Sequence, residues 1–107
     1  ILFKDGSYAV FDGVKDMLKY YFVLEKYNPK KKRSDIDVIY VTDYYDLKLI
    51  DGLKAFYVIG SDVYGPMGRE LIPFSSRSDA EEFRKDHQGK AVLEFSGITH
   101  DAVKGLD

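Results

Sequence analysis

A hairpin, a helix and a strand follow one another twice along this sequence, and that repetition limits the folds open to it. In the first pass, Ile1-Leu2-Phe3 and Tyr8-Ala9-Val10-Phe11 read as strands on either side of Asp5-Gly6, a dipeptide that supplies the positive φ of a tight turn. Residues 13–26 then carry Val14, Met17, Leu18, Tyr21 and Phe22 at helical spacing, with Asp12 as the N-cap and Asn28-Pro29 as the stop. Residues 36–42, rich in β-branched and aromatic side chains, complete the unit as a strand. A turn at Asp43-Tyr44-Tyr45-Asp46 and a short return strand over residues 47–50 follow it.

In the second pass, residues 55–59 and 71–74 are strands. Ser78-Asp79-Ala80-Glu81 has the capping-box pattern of a helix over residues 79–87, which faces inward through Ala80, Phe83 and His87 and ends on Gly89 as a left-handed cap. Residues 91–95 alternate into a last strand. The tail from Ser96 onward carries no signal beyond a short turn at residues 100–104. Phe11-Asp12 before the first helix answers Phe74-Ser75 before the second. The prediction is an α+β fold of one domain, two tandem ββαβ units at about residues 1–50 and 51–107, with two helices on a mixed or antiparallel sheet.

Between the apolar ends of residues 57–74 lies a segment of about ten residues holding Gly60, Gly65, Pro66, Met67 and Gly68. Chain reversal alone needs two to five residues. Gly65 and Gly68 tolerate positive φ, and Pro66 fixes its own φ and pushes Gly65 away from helical geometry, so these three form a stiff scaffold around Met67. Two readings of Met67 stay open: an apolar plug that tucks the loop onto the core, or a thioether ligand for a soft ion such as Cu(I).

The formal charge of −2, from 16 basic and 18 acidic residues, argues against broad electrostatic binding to nucleic acid. The basic cluster Lys30-Lys31-Lys32-Arg33 reads as a solvated linker or as a docking patch for anions. With no cysteine, disulfides, thiolate catalysis and Cys-based zinc sites are excluded from this segment. No apolar run approaches the length of a membrane span. The sequence opens on an apolar strand with no start Met, and is read as a trimmed piece that leaves open an export signal or further ligands upstream.

From Tyr57 through Gly68 the string Tyr-Val-Ile-Gly-Ser-Asp-Val-Tyr-Gly-Pro-Met-Gly resembles the nitrous-oxide reductase accessory protein (NosL) family. Phe11-Asp12 with Met17, Tyr40-Val41-Thr42-Asp43-Tyr44, Ala55-Phe56-Tyr57, Asp79-Ala80 with Phe83, and His87 before Gly89 extend the likeness over nearly the whole chain. The resemblance implies two linked ββαβ units and a copper-binding protein of the bacterial cell envelope, periplasmic or held to the membrane only by an N-terminal lipid anchor. It implies delivery of Cu(I) to a copper enzyme such as nitrous-oxide reductase, or to another copper-handling protein. The family's site joins methionine sulfur, matched here by Met67, to a Cys motif near the mature N-terminus. That motif is absent from this sequence, so Cu(I) binding by it is expected to be weak or lost.

Met17 and an imidazole from His87 or His100 are the remaining candidate donors. Each has a structural rival: Met17 lies on the apolar face of the first helix, and His87 at a helix C-terminus meets orphan carbonyls and a favourable dipole. Hydrolysis finds little support, since no spacing aims Ser61, Asp62 and a His at one another. The acidic residues at strand ends fit turns better than a Ca²⁺ loop. The alternative function is a non-metal module binding a protein or small ligand through the Gly-rich loop and exposed members of its nine tyrosines.

Overall fold

The computed structural model describes residues 1–65 and 68–106. Its elements in chain order are β1 (Leu2–Phe3), α1 (Val14–Phe22), α2 (Leu24–Tyr27), β2 (Ile36–Val38), β3 (Tyr40–Thr42), β4 (Leu49–Asp51) and β5 (Phe56–Ile59). There follow β6 (Tyr64–Gly65), β7 (Gly68–Arg69), β8 (Ile72–Phe74), α3 (Arg77–Asp86), β9 (Ala91–Glu94) and α4 (His100–Lys104). This is the expected α+β class, and among the described residues every strand pairing is antiparallel.

The two halves share one order of pairing. β1 pairs with β2 on one side and bridges Tyr8 on the other, while β5 lies between β8 and β9. In each half the first strand is central, flanked by its hairpin partner and by the strand that returns after the helix. Two hairpins are added to this plan: β3 with β4, and β6 with β7, the latter joining Tyr64 to Arg69 and Gly65 to Gly68.

β5 explains where the apolar interior sits. Successive side chains of a strand point to opposite faces, and here both faces are covered. Tyr57 and Val58 are each fully buried. Tyr57 enters a cluster with Met17 and Leu18 of α1, Val41 of β3 and Val103 of α4. Val58 enters a second cluster with Ile72 and Phe74 of β8 and Ala80 and Phe83 of α3. The Tyr57 hydroxyl, inside the first cluster, donates to the Gly52 carbonyl at 2.6 Å.

Local signals were overridden at several places. The first helix does not run unbroken to residue 26. The Arg33 guanidinium donates to the Phe22 carbonyl at 3.1 Å and the Tyr21 carbonyl at 3.4 Å, taking up acceptors that a continuing helix would use, and the chain breaks at Val23. The basic segment is therefore not merely a solvated linker: Lys31 also pairs with Asp5 and lies over the Phe3 ring. The N-cap of α1 is Gly13 rather than Asp12, and that of α3 is Ser76, whose hydroxyl accepts from Asp79 N–H, rather than Ser78. At the end of α3 the left-handed residue is Gln88 (φ +57), not Gly89. Gly89 donates to the Arg84 carbonyl at 2.8 Å, one residue further along in the same type of C-terminal motif. The tail is more ordered than its sequence suggests. Thr99 caps α4, and Ile98, Val103 and Leu106 are buried in the first cluster.

Tyr44 and Tyr45 lie in the expected turn, and both rings rest against Phe74 and Phe83.

Candidate functional site

Met17 is 4% exposed, packed in the first apolar cluster. One side of it lines a groove of about 640 Å³ between the N-terminal segment, β3 and the stretch leading into β8, with Phe11, Tyr40, Val41 and Leu71 among its walls. The rim carries exposed apolar side chains, Tyr8, Val10 and Leu49. Among the described residues the charged side chains of the lining are two carboxylates, Asp12 and Glu70.

Glu70 follows β7 directly and reaches across to the start of α1. Its Oε1 accepts from the Lys15 backbone N–H and, at 3.1 Å, from the Leu71 N–H. A carboxylate is favoured at this end of a helix, where unpaired N–H groups and the helix dipole converge. The arrangement requires glycine at position 13, because a Cβ there would overlap the Glu70 carboxylate. Burial pushes the Glu70 carboxyl above its ordinary range, partly offset by the two amides and by the Lys15 charge. Nothing local in the sequence signals this cap, since 55 residues separate its partners.

His87 is the C-cap of α3. Its ring stacks on Phe83 with centroids 4.3 Å apart, its Nδ1 lies 2.9 Å from Asp62 Oδ1, and its carbonyl accepts from the Asp62 N–H at 2.9 Å. Sequence spacing gave no reason to pair Asp62 with His87. A carboxylate on one ring nitrogen orients an imidazole and leaves the other nitrogen facing outward. The pair does not complete a nucleophilic triad: the Ser61 side chain is buried and accepts from Val63 N–H.

Met17 and His87 are not brought together. Met17 packs with α1 against the Tyr57 face of β5, and His87 stacks on a member of the cluster against the Val58 face. His100 is elsewhere again, stacked on Phe22 at 5.3 Å. Met67 and Pro66 lie outside the described residues, while their flanking glycines, Gly65 and Gly68, pair with each other in the β6–β7 hairpin. Among the described residues no group of three or more His, Cys, Asp or Glu side chains gathers to hold a metal ion. The buried Asp43 carboxylate is fully used by backbone amides. What the described site offers chemically is one soft thioether at the base of an apolar groove and one oriented imidazole on the far face of the sheet.

Comparison with known proteins adds to this geometry. The family model described as NosL matches residues 1–103. The copper-binding lipoprotein NosL of Stutzerimonas stutzeri is 40% identical over 53 residues, a match that covers 50% of this chain and 27% of that protein. This chain thus matches about a quarter of that relative's length. The crystal structure of the copper chaperone NosL from Shewanella denitrificans shares the fold with a TM-score of 0.70 at 26% identity, over 85% of this chain and 69% of that one. The solution NMR structure of apo-NosL from Achromobacter cycloclastes gives 0.62 at 35% identity, over 96% and 86%. The Stutzerimonas protein is named for binding copper and the Shewanella protein for carrying it.

Proposed function

The chain belongs to the NosL family, and from that premise we propose that it is a copper-binding accessory protein, not an enzyme, which carries Cu(I) to a copper enzyme or another copper-handling protein. Nitrous-oxide reductase is the recipient implied by the resemblance of residues 57–68. The observation that carries the reading is agreement over nearly the whole chain, by family match and by shared fold with a copper chaperone. In this reading the working protein lies in the bacterial cell envelope, periplasmic or lipid-anchored.

Met67, next to Gly65, Pro66 and Gly68 in sequence, is the leading ligand, partnered by thiolate sulfur of the kind the family's Cys motif supplies. Ile1 and Met17 both line the groove. Thioethers are neutral, soft and individually weak, which suits an ion that is to be passed on. Met17 serves as a supporting donor, whereas His87, on the other face of the sheet, takes part only as a separate contact.

The test is titration of Cu(I) against a competing chelator, in a form of the protein that extends upstream of Ile1. Met67→Ala should weaken binding, and undiminished affinity would remove Met67 from the site. Copper at a hundredfold its Kd should raise stability by about 2.7 kcal/mol; no copper-dependent change in the melt would favour the non-metal interaction module instead.

A further inference from the structure

The β6–β7 hairpin is tied to a different helix at each root. Before β6, Asp62 is joined twice to the C-terminal end of α3, through its N–H to the His87 carbonyl and through Oδ1 to the His87 ring, both at 2.9 Å. The ring is in turn seated on Phe83, which is fully buried. After β7, the Glu70 carboxylate takes the Lys15 amide at the N-terminal end of α1, where Gly13 leaves room for it. The two helices belong to the two separate apolar clusters. Among the described residues the hairpin pairs Tyr64 with Arg69 and Gly65 with Gly68, a short ladder that gives little rigidity by itself.

We propose that Glu70, Asp62 and His87 are positioning residues: they pin the two roots of the hairpin to opposite helix ends and thereby set where β6 and β7 lie. The consequence for copper rests on the function proposed above; the anchoring does not.

The test compares Glu70→Leu, Glu70→Gln, Asp62→Ala and His87→Asn in the full chain. Amide exchange of the hairpin is the copper-free readout, and Cu(I) competed against a chelator, in the upstream-extended protein, is the second. Glu70→Gln keeps an acceptor oxygen and His87→Asn keeps an N–H donor near the Nδ1 position, so both should retain wild-type exchange and affinity. Glu70→Leu and Asp62→Ala should each speed hairpin exchange about fivefold, the size of losing one cap, and weaken Cu(I) by a similar factor.

Wild-type exchange in both of those variants would overturn the proposal, as would a fall in melting temperature with no change confined to the hairpin. An affinity loss in His87→Asn as large as in Asp62→Ala would make His87 a ligand through Nε2 and end its positioning role. If Glu70→Leu does not fold, Asp62→Ala against His87→Asn decides the matter. Unchanged affinity in Met67→Ala, beside faster exchange in Glu70→Leu, would sink the copper reading and leave the anchoring standing.

Discussion

The Asp43 carboxylate and the Ser75 backbone amide meet at 2.7 Å across 32 residues of sequence. The other carboxylate oxygen accepts from Tyr45 and Asp46 N–H, both at 2.9 Å, and the Asp43 side chain has no solvent exposure. One side chain therefore shapes the β3–β4 turn and fastens it to the junction between β8 and α3.

Asp43→Ala would take the carboxylate partner from three amides and should destabilise the fold by about 1–3 kcal/mol, measured by denaturant titration. Burial opposes ionisation of this carboxyl, but the amides of Asp46, Ser75 and Tyr45 outweigh it and hold the group below its ordinary 3.8. A depressed carboxyl stabilises the folded chain at pH values above the unfolded value and loses that contribution as acid takes the pH below it. Stability should thus fall below about pH 4 more steeply in the wild type than in Asp43→Asn.

Glu70 should behave in the opposite sense. Its carboxyl is raised from 4.5 by burial, so the folded chain holds that proton more tightly than the unfolded one. Its contribution is largest below the unfolded value and shrinks as pH rises through it. Glu70→Gln, which keeps an acceptor for the Lys15 amide, should gain on the wild type as pH rises above 4.5, read from melts at successive pH values.

Met17 offers a separation of packing from ligation. Met17→Leu conserves volume and should cost less than about 1.5 kcal/mol, whereas Met17→Ala should cost about 2–5 kcal/mol. If Met17 lends its sulfur to copper, Met17→Leu should also lower Cu(I) affinity without a matching fall in the melt; if it only packs, affinity should stay at the wild-type value.

Gln88 holds a φ of +57 at the end of α3, a conformation that glycine adopts without steric strain. Gln88→Gly should stabilise the protein by about 0.5–1 kcal/mol, and Gln88→Val, whose branched Cβ crowds that region, should destabilise it, both read from the melting temperature.

The contrast between Gln88 and Gly89 shows what was legible in the sequence and what was not. Element types followed from periodicity: Val14, Met17 and Leu18 mark α1, and the apolar runs around Tyr57 and Ile72 mark the strands of the second half. Both ends of α1 were misplaced because the deciding partner lay far along the chain. Arg33 ends α1 and Glu70 begins it, and neither leaves a local pattern. Ile98, Val103 and Leu106 likewise become apolar anchors only through contact with α1 and β5. In the candidate site, soft donors could be picked out by type, but the separation of Met17 from His87 depends on which face of β5 each helix covers.

Both faces of β5 are committed, Tyr57 to one cluster and Val58 to the other. Melting either layer would leave this strand with a bare hydrophobic side, so the two layers should be lost in one cooperative transition, with the amides of residues 57 and 58 among the last to exchange.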